Sequence, residues 1–258
     1  MYTDLGDHPK DYWSSAYIQT SDIDLVNDHA SIVPIGNDTT YFTGEYDGGR
    51  FQIKNWSLTT DINTSGLFGH CVGAVFTHIR LSGVWTLSGG SFAGFLIGRT
   101  FECQVDDIEA DVDAGSALSG NDNIGILIGR LSESQCHGLT LRGTVDSLTG
   151  DDNVGGIVGY ALGSTSQLRQ FRNLAIFPNA ILGQRVGGMV ATCITTASNF
   201  LNAMQGDMYG SVYAGGLCGW MSHDTDSSND SLVNSMTGKV QSGSGSAGGL
   251  FGTMHADD

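Results

Sequence analysis

The side chains best suited to chemistry recur one per repeat instead of clustering. His70, Arg99, Arg130, Tyr160, Thr192, Trp220 and Thr253 each follow one of seven similar six-residue blocks. Cationic and planar side chains in a row can hold a carboxylate through paired N–H donors or a sugar through ring faces. His70, Arg99, Arg130, Tyr160 and Trp220 are therefore a candidate ligand ladder, against the plainer reading of a solvated turn with stacked polar side chains. Two acidic turns, GNDN at 120–123 and GDDN at 150–153, set Asp122 opposite Asp152 and Asn123 opposite Asn153. These four oxygen-bearing residues are a candidate Ca²⁺ set, because the ion takes about six to eight oxygen ligands. No EF-hand pattern accompanies them, and Asn and Asp also serve simply as turn formers.

A further acidic stretch, Asp106, Asp107, Glu109, Asp111 and Asp113, alternates with Ile108, Ala110 and Val112. Glycoside hydrolysis needs convergent carboxylates, and lyase chemistry needs acids beside a base. Alternation instead puts these acids on the outer face of one strand, with no neighbouring lysine. The histidines at 8, 29, 70, 78, 137, 223 and 255 are scattered and form no HExxH. No catalytic residue is assigned, and no cofactor is expected beyond the candidate Ca²⁺.

Composition narrows the class. The chain has 258 residues with 38 Gly and only 3 Pro, and 40% of residues are hydrophobic, which excludes collagen and a disordered tail. With 27 Asp and Glu against 11 Lys and Arg, the formal net charge is −16, a field that repels nucleic acid and anionic lipid. No apolar run approaches the roughly 18 residues of a membrane span, and Met1 to Trp13 shows no basic flank before an apolar stretch, so no signal peptide is expected. Cys71, Cys103, Cys136, Cys193 and Cys218 are odd in number and lack CxxC spacing. They are read as small core fillers.

Repetition organises everything else. The blocks are TSGLFG, AGFLIG, IGILIG, VGGIVG, VGGMVA, AGGLCG and AGGLFG, ending at 69, 98, 129, 159, 191, 219 and 252. Between them lie short apolar segments such as Leu139-Thr140-Leu141 and Leu174-Ala175-Ile176, and turn-forming runs such as SGND, TGDD, HDTDSSND and SGSGS. A period near 30, with short strands, glycine turns and no helical spacing, suits a β-solenoid whose coils stack at about 4.8 Å. Propeller blades are commonly longer, at about 40 to 50 residues. The expectation is an all-β, right-handed parallel β-helix of about eight coils. Residues 1–60 form an N-terminal capping segment with the first coils, and residues 61–258 form the repeats.

Stacked coils turn block positions into columns. Glycines of the second and sixth columns mark places where no side chain fits. The fourth column, Leu67 to Leu250, and the fifth, Phe68, Ile97, Ile128, Val158, Val190, Cys218 and Phe251, are both apolar although adjacent strand residues face opposite ways. Either the chain corners between them, or the fifth column is an outward stripe covered by another chain. In the second case those seven residues are assembly-face candidates.

These blocks, with the opening segment SDIDL, VPIG and YFTGEYDGGRFQIKNWSL, resemble the GLUG-repeat proteins, whose signature is a GGLVG-like strand followed by an Asn/Cys-containing strand. The resemblance covers about residues 17 to 252. It implies a surface or particle-associated setting outside the cell, as in adhesin-like proteins and the stalks beside IgA-cleaving metallopeptidases. The chain departs from the pattern at Phe95 and Ile126, where glycine is usual, and at Ala191, so those coils are expected to bend or bulge. The expected function is a non-catalytic building block that self-associates, or contacts other subunits, through faces and ends. An adhesin-like module binding a glycan or a protein is the alternative, and a carbohydrate-active enzyme comes third. The last block is followed only by Thr253 to Asp258, so the final coil is expected to be uncapped. Aromatic residues Tyr2, Tyr12, Trp13 and Tyr17 could cap the first coil or a neighbour's last one. Asn37, Asn55, Asn63 and Asn229 sit in Asn-x-Ser/Thr sequons.

Overall fold

The structure, a computed structural model, describes residues 12–27, 33–223 and 231–256. Tyr2, His8, His29, Asn229 and most of the HDTDSSND turn lie outside the described residues, as do the side chains of His223 and His255. Every strand pairing among the described residues is parallel. One ladder joins Ile35, Phe68, Ile97, Ile128, Val158, Val190, Cys218 and Phe251, and so counts eight turns of a β-solenoid.

One turn shows how the sequence makes the coil. The block strand Asn123–Gly125 corners into Ile128–Ser132, and the chain then passes Glu133 into the long strand Gln135–Thr149. Left-handed residues bend it: Glu133 at φ 45°, then Gly138 at 72° and Gly143 at 85°. The same corners recur at the repeat period. Gly73, Glu102, Glu133 and Gly163 make the first, and His78, Asp107, Gly138, Gln170 and Asn199 the second. A left-handed residue reverses the inside–outside alternation, which is how strands of up to 16 residues wrap a core instead of running straight past it.

The block corner settles the conflict between the two apolar columns. Leu127 and Ile128 both donate backbone N–H groups to one carbonyl, that of Ile157 in the next turn, at 3.0 and 3.2 Å. Met189 and Val190 do the same to Leu217 at 3.0 and 3.2 Å. A strand would send successive amides in opposite directions, so this is a bend, and both side chains point inward. Phe68, Ile97, Ile128, Val158, Val190 and Cys218 are all buried to 1% exposure or less, and Phe251 is partly buried. The fifth column is therefore part of the chain's own core and not an outward assembly stripe.

Close approach calls for glycine at positions such as Gly155 and Gly159 of this corner. A Cβ on Gly155 would lie 1.9 Å from the carbonyl oxygen of Val158, and one on Gly159 would lie 2.5 Å from the amide of Ile124 in the preceding turn. The third column is solved in two ways. Where it is Gly156, Gly188 or Gly216, an asparagine from across the core fills the space, Asn173, Asn202 and Asn234 respectively, each with its Nδ2 within 2.5 Å of where a Cβ would lie. The same amides tie to the following turn: Asn173 donates to Gly188 O and Asn202 to Gly216 O, each at 2.5 Å, and Asn202 also donates to Asn234 Oδ1 at 3.0 Å. Where it is Phe95 or Ile126, the side chain itself fills the core, opposite Leu81, Ala110 and Leu141, all of them fully or almost fully buried. The strands directly after Phe95 and Ile126 keep register, so no bend occurs there, whereas Val190–Ser198, which contains Ala191, shifts register against the preceding turn between Leu162 and Gln167, the irregularity expected of that coil.

Elsewhere the core is aromatic at its start, where Phe42, Phe68 and Phe76 pack together and Trp56 meets Trp85 edge-on at 5.7 Å. Phe171 stacks on Phe200 at 5.0 Å further along. Trp13 and Tyr17 pack on this same core, which places these two aromatic residues over the chain's own first turns. All five cysteines are buried and unpaired. Burial pushes the Cys71 and Cys136 thiols well above their ordinary range and Cys103 up to about 11.

Two outcomes follow for the fold. Replacing Asn202 with alanine leaves the Gly216 carbonyl without its partner and lowers stability by about 1–3 kcal/mol in urea denaturation. A disulfide reagent at pH 8 labels none of the five thiols in the native chain and all five in denaturant, because the reactive thiolate forms only after unfolding.

Candidate binding ladder

The residues that follow the blocks are in register, as the repeat spacing requires: His70 pairs with Arg99, Arg99 with Arg130, Arg130 with Tyr160, Tyr160 with Thr192, and Thr192 with Trp220. The structure divides this ladder into parts. His70 is 7% exposed, its Nδ1 lies 3.1 Å from Asp38 Oδ1, and its ring packs on Tyr41 with centroids 4.5 Å apart. It is committed to the preceding turn and not to a ligand. Thr192 is buried and donates to Asn153 Oδ1, so Trp220 stands two turns beyond Tyr160 with an inward-held residue between them.

Arg99, Arg130 and Tyr160 stay together, and Phe92 joins them from the neighbouring block strand. The Arg99 guanidinium lies 5.4 Å from the Phe92 ring centroid, and that of Arg130 lies 5.7 Å from Phe92 and 5.5 Å from Tyr160. Arg130 Nε donates to Ser132 Oγ at 3.3 Å. Two unit charges one strand spacing apart repel by about 1 to 3 kcal/mol, depending on how wet the site is. Burial and the neighbouring Arg99 together pull the Arg130 pKa down. Phe92 was missed from sequence because it lies outside the post-block column; a two-strand reading of the corner would have found it.

The Ca²⁺ candidates do not converge. Asn123 and Asn153 are buried, and Asn153 Nδ2 donates to Asn123 Oδ1 at 3.1 Å while its own oxygen takes the Thr192 hydroxyl. Asp152 pairs with Arg185 at 2.5 Å, leaving Asp122 apart from any such set. Among the described residues no three His, Cys, Asp or Glu side chains gather where a metal could sit. The amides turn inward because the block strand begins there, and alternation sends its first residue to the core side.

The acidic stretch is an outer face, as its alternation predicts, with Ile108, Ala110 and Val112 buried beneath it. Its partners are arginines from other turns. Asp107 meets Arg50 and Arg80 at 2.8 Å each, Glu109 meets Arg142 at 2.9 Å, and Asp106 lies 2.7 Å from His137. The signal was available, since Arg80 and Arg142 lie one repeat before and after Glu109. A shallow groove of about 280 Å³ beside it is lined by Gln104, Asp106, Gln135, His137, Gln167 and Arg169 among others. Among the described residues no helix is long and apolar enough to cross a membrane.

His70 gives this site a pH signature. Burial is the largest influence on it and lowers its pKa, the hydrogen bond to the Asp38 carboxylate raises it, and the Arg99 charge lowers it again, with a net shift below 6.5. As pH falls, the unfolded chain therefore takes up this proton before the folded one. The contribution is complete above about pH 6.5 and is lost as pH falls through the folded-state value. Urea melts from pH 7.5 to 5 show a steeper loss of stability for the native chain than for His70→Gln. Comparison with protein-family models, curated proteins and solved structures finds no match to the chain.

Proposed function

We propose that this chain is a non-catalytic structural module of an extracellular fibre, surface layer or particle, and that it makes its protein contacts through its ends. The observation that carries this reading is the last described turn. Leu250 and Met254 are 42% and 56% exposed, whereas Leu217 and Met221, their counterparts one turn earlier, are 0% and 2% exposed. Interior columns thus emerge into solvent there, and Phe251–Ala256 pairs on one side only among the described residues. At the other end Ala16–Ile18 and Ile23–Asp24 also pair on one side only among the described residues, with Ile18 71% exposed.

The occupant that fits is the first turn of a second copy. Both edges carry parallel strands, and one ladder runs from Ile23–Asp24 to Leu232–Asn234, so a head-to-tail contact extends that ladder by one further rung. Such a contact is heterologous and does not close on itself, which gives a filament. The setting outside the cell rests on the likeness of the repeat blocks to GLUG-repeat proteins. The binding-module reading draws on a separate observation, the Arg99 and Arg130 pair.

Sedimentation of the intact chain across protein concentration, with electron microscopy of the same samples, tests the reading. Concentration-dependent oligomers or filaments are expected, and Leu250→Glu with Met254→Glu returns them to monomer while leaving the circular dichroism spectrum unchanged. A native chain that stays monomeric at every concentration overturns the proposal.

A further inference from the structure

Of the eight arginines, Arg50, Arg80, Arg142 and Arg185 each meet a carboxylate at 2.9 Å or less, and Arg99, Arg130, Arg169 and Arg172 meet none among the described residues. Arg99 and Arg130 differ from the other unpaired arginines in standing side by side. They are register partners in adjacent turns, and among the described residues neither has a carboxylate oxygen within 4 Å. In a chain of net charge −16 this is an unexpected place to leave two positive charges side by side.

Their donors are also largely unused. Arg99 Nε is buried without a hydrogen-bond partner, and the Arg130 side chain makes one hydrogen bond, to Ser132. A guanidinium carries five N–H donors in a rigid planar fork suited to two oxygens of one anion. Phe92 lies beside both groups and Tyr160 beside Arg130, so the forks are held by rings that contribute no negative charge and compete for no donor. His70, the next rung, is already engaged by Asp38.

From this geometry we infer that Arg99 and Arg130 form an oxyanion site, held in place by Phe92 and Tyr160, that takes one carboxylate or sulfate group between the two guanidinium forks. The group can come from a free ion or from an acidic sugar in a glycan chain. In either case it removes the repulsion between the two arginines and fills the vacant donors with charge-assisted hydrogen bonds. This site is independent of the end contacts, since it lies on the wall beside the second and third repeat blocks.

Calorimetric titration of the intact chain at pH 7 and constant ionic strength separates the sources, with sodium sulfate, oligogalacturonate and a neutral oligosaccharide of equal length as probes. Saturable binding of at least one anion and none of the neutral sugar is expected. Sulfate binding as tightly as oligogalacturonate identifies a free-ion site, and preference for oligogalacturonate identifies a glycan site. Arg99→Gln with Arg130→Gln weakens the binding at least tenfold, and Arg99→Lys, which keeps the charge but loses the fork, weakens it several-fold with the fold intact. Absence of saturable binding by either anion, equal binding of the neutral sugar, or undiminished binding in a folded variant overturns the inference.

Discussion

The approach of backbone to backbone at the block corner is the constraint on which the rest of the solenoid depends. Successive turns meet there closely enough that a Cβ on Gly129 would lie 2.6 Å from the Gly98 carbonyl oxygen, and one on Gly159 2.6 Å from that of Gly129. With the corner fixed, two successive amides share one carbonyl, both flanking apolar columns face inward, and the turn-to-turn register is set. Every other ladder inherits that register. The arginine pair, the Asn123–Asn153 contact and the ion pairs around Asp107 and Glu109 are all consequences of stacking at one period.

Several of the polar groups buried at the corners are satisfied by the neighbouring turn. Ser134 Oγ accepts from the Cys103 amide, and Ser166 Oγ accepts from the Ser134 amide, each at 3.0 Å. A left-handed corner leaves a backbone N–H facing the interior, and a hydroxyl one turn along supplies the missing acceptor. The asparagines at 173, 202 and 234 do the same for block carbonyls. Such groups are costly when unpaired, so each turn makes the next one more specific about what it will accept.

The period, the all-β class and the number of turns were legible because glycine blocks at a constant spacing have few physical explanations. Columns that needed only register were legible too, including the adjacency of Arg99 and Arg130. Direction was harder. Whether Phe68 to Phe251 faced in or out depended on a bend that alternation alone does not reveal, and the inward turn of Asn123 and Asn153 likewise depends on where the block strand begins. The expected distortion at Phe95 and Ile126 did not arise because their bulk is matched across the core by Leu81, Ala110 and Leu141, where later turns carry asparagine. That compensation joins residues about 15 positions apart in the same turn, a distance shorter than the repeat on which the columns were built.

The two ways of filling the third column also constrain how such a chain can lengthen. From Phe95 to Gly216, a glycine corner such as Gly188 has an asparagine across from it and a corner such as Phe95 a buried aliphatic residue, so exchanging one half of a turn between these two styles breaks the match. Duplication or loss of a whole coil preserves the match, because each coil contacts chiefly its neighbours. Recombination that breaks within a coil separates the partners. The unit of inheritance in a molecule built this way is therefore the complete turn, and its length can drift in evolution by about thirty residues at a time without redesign of the core.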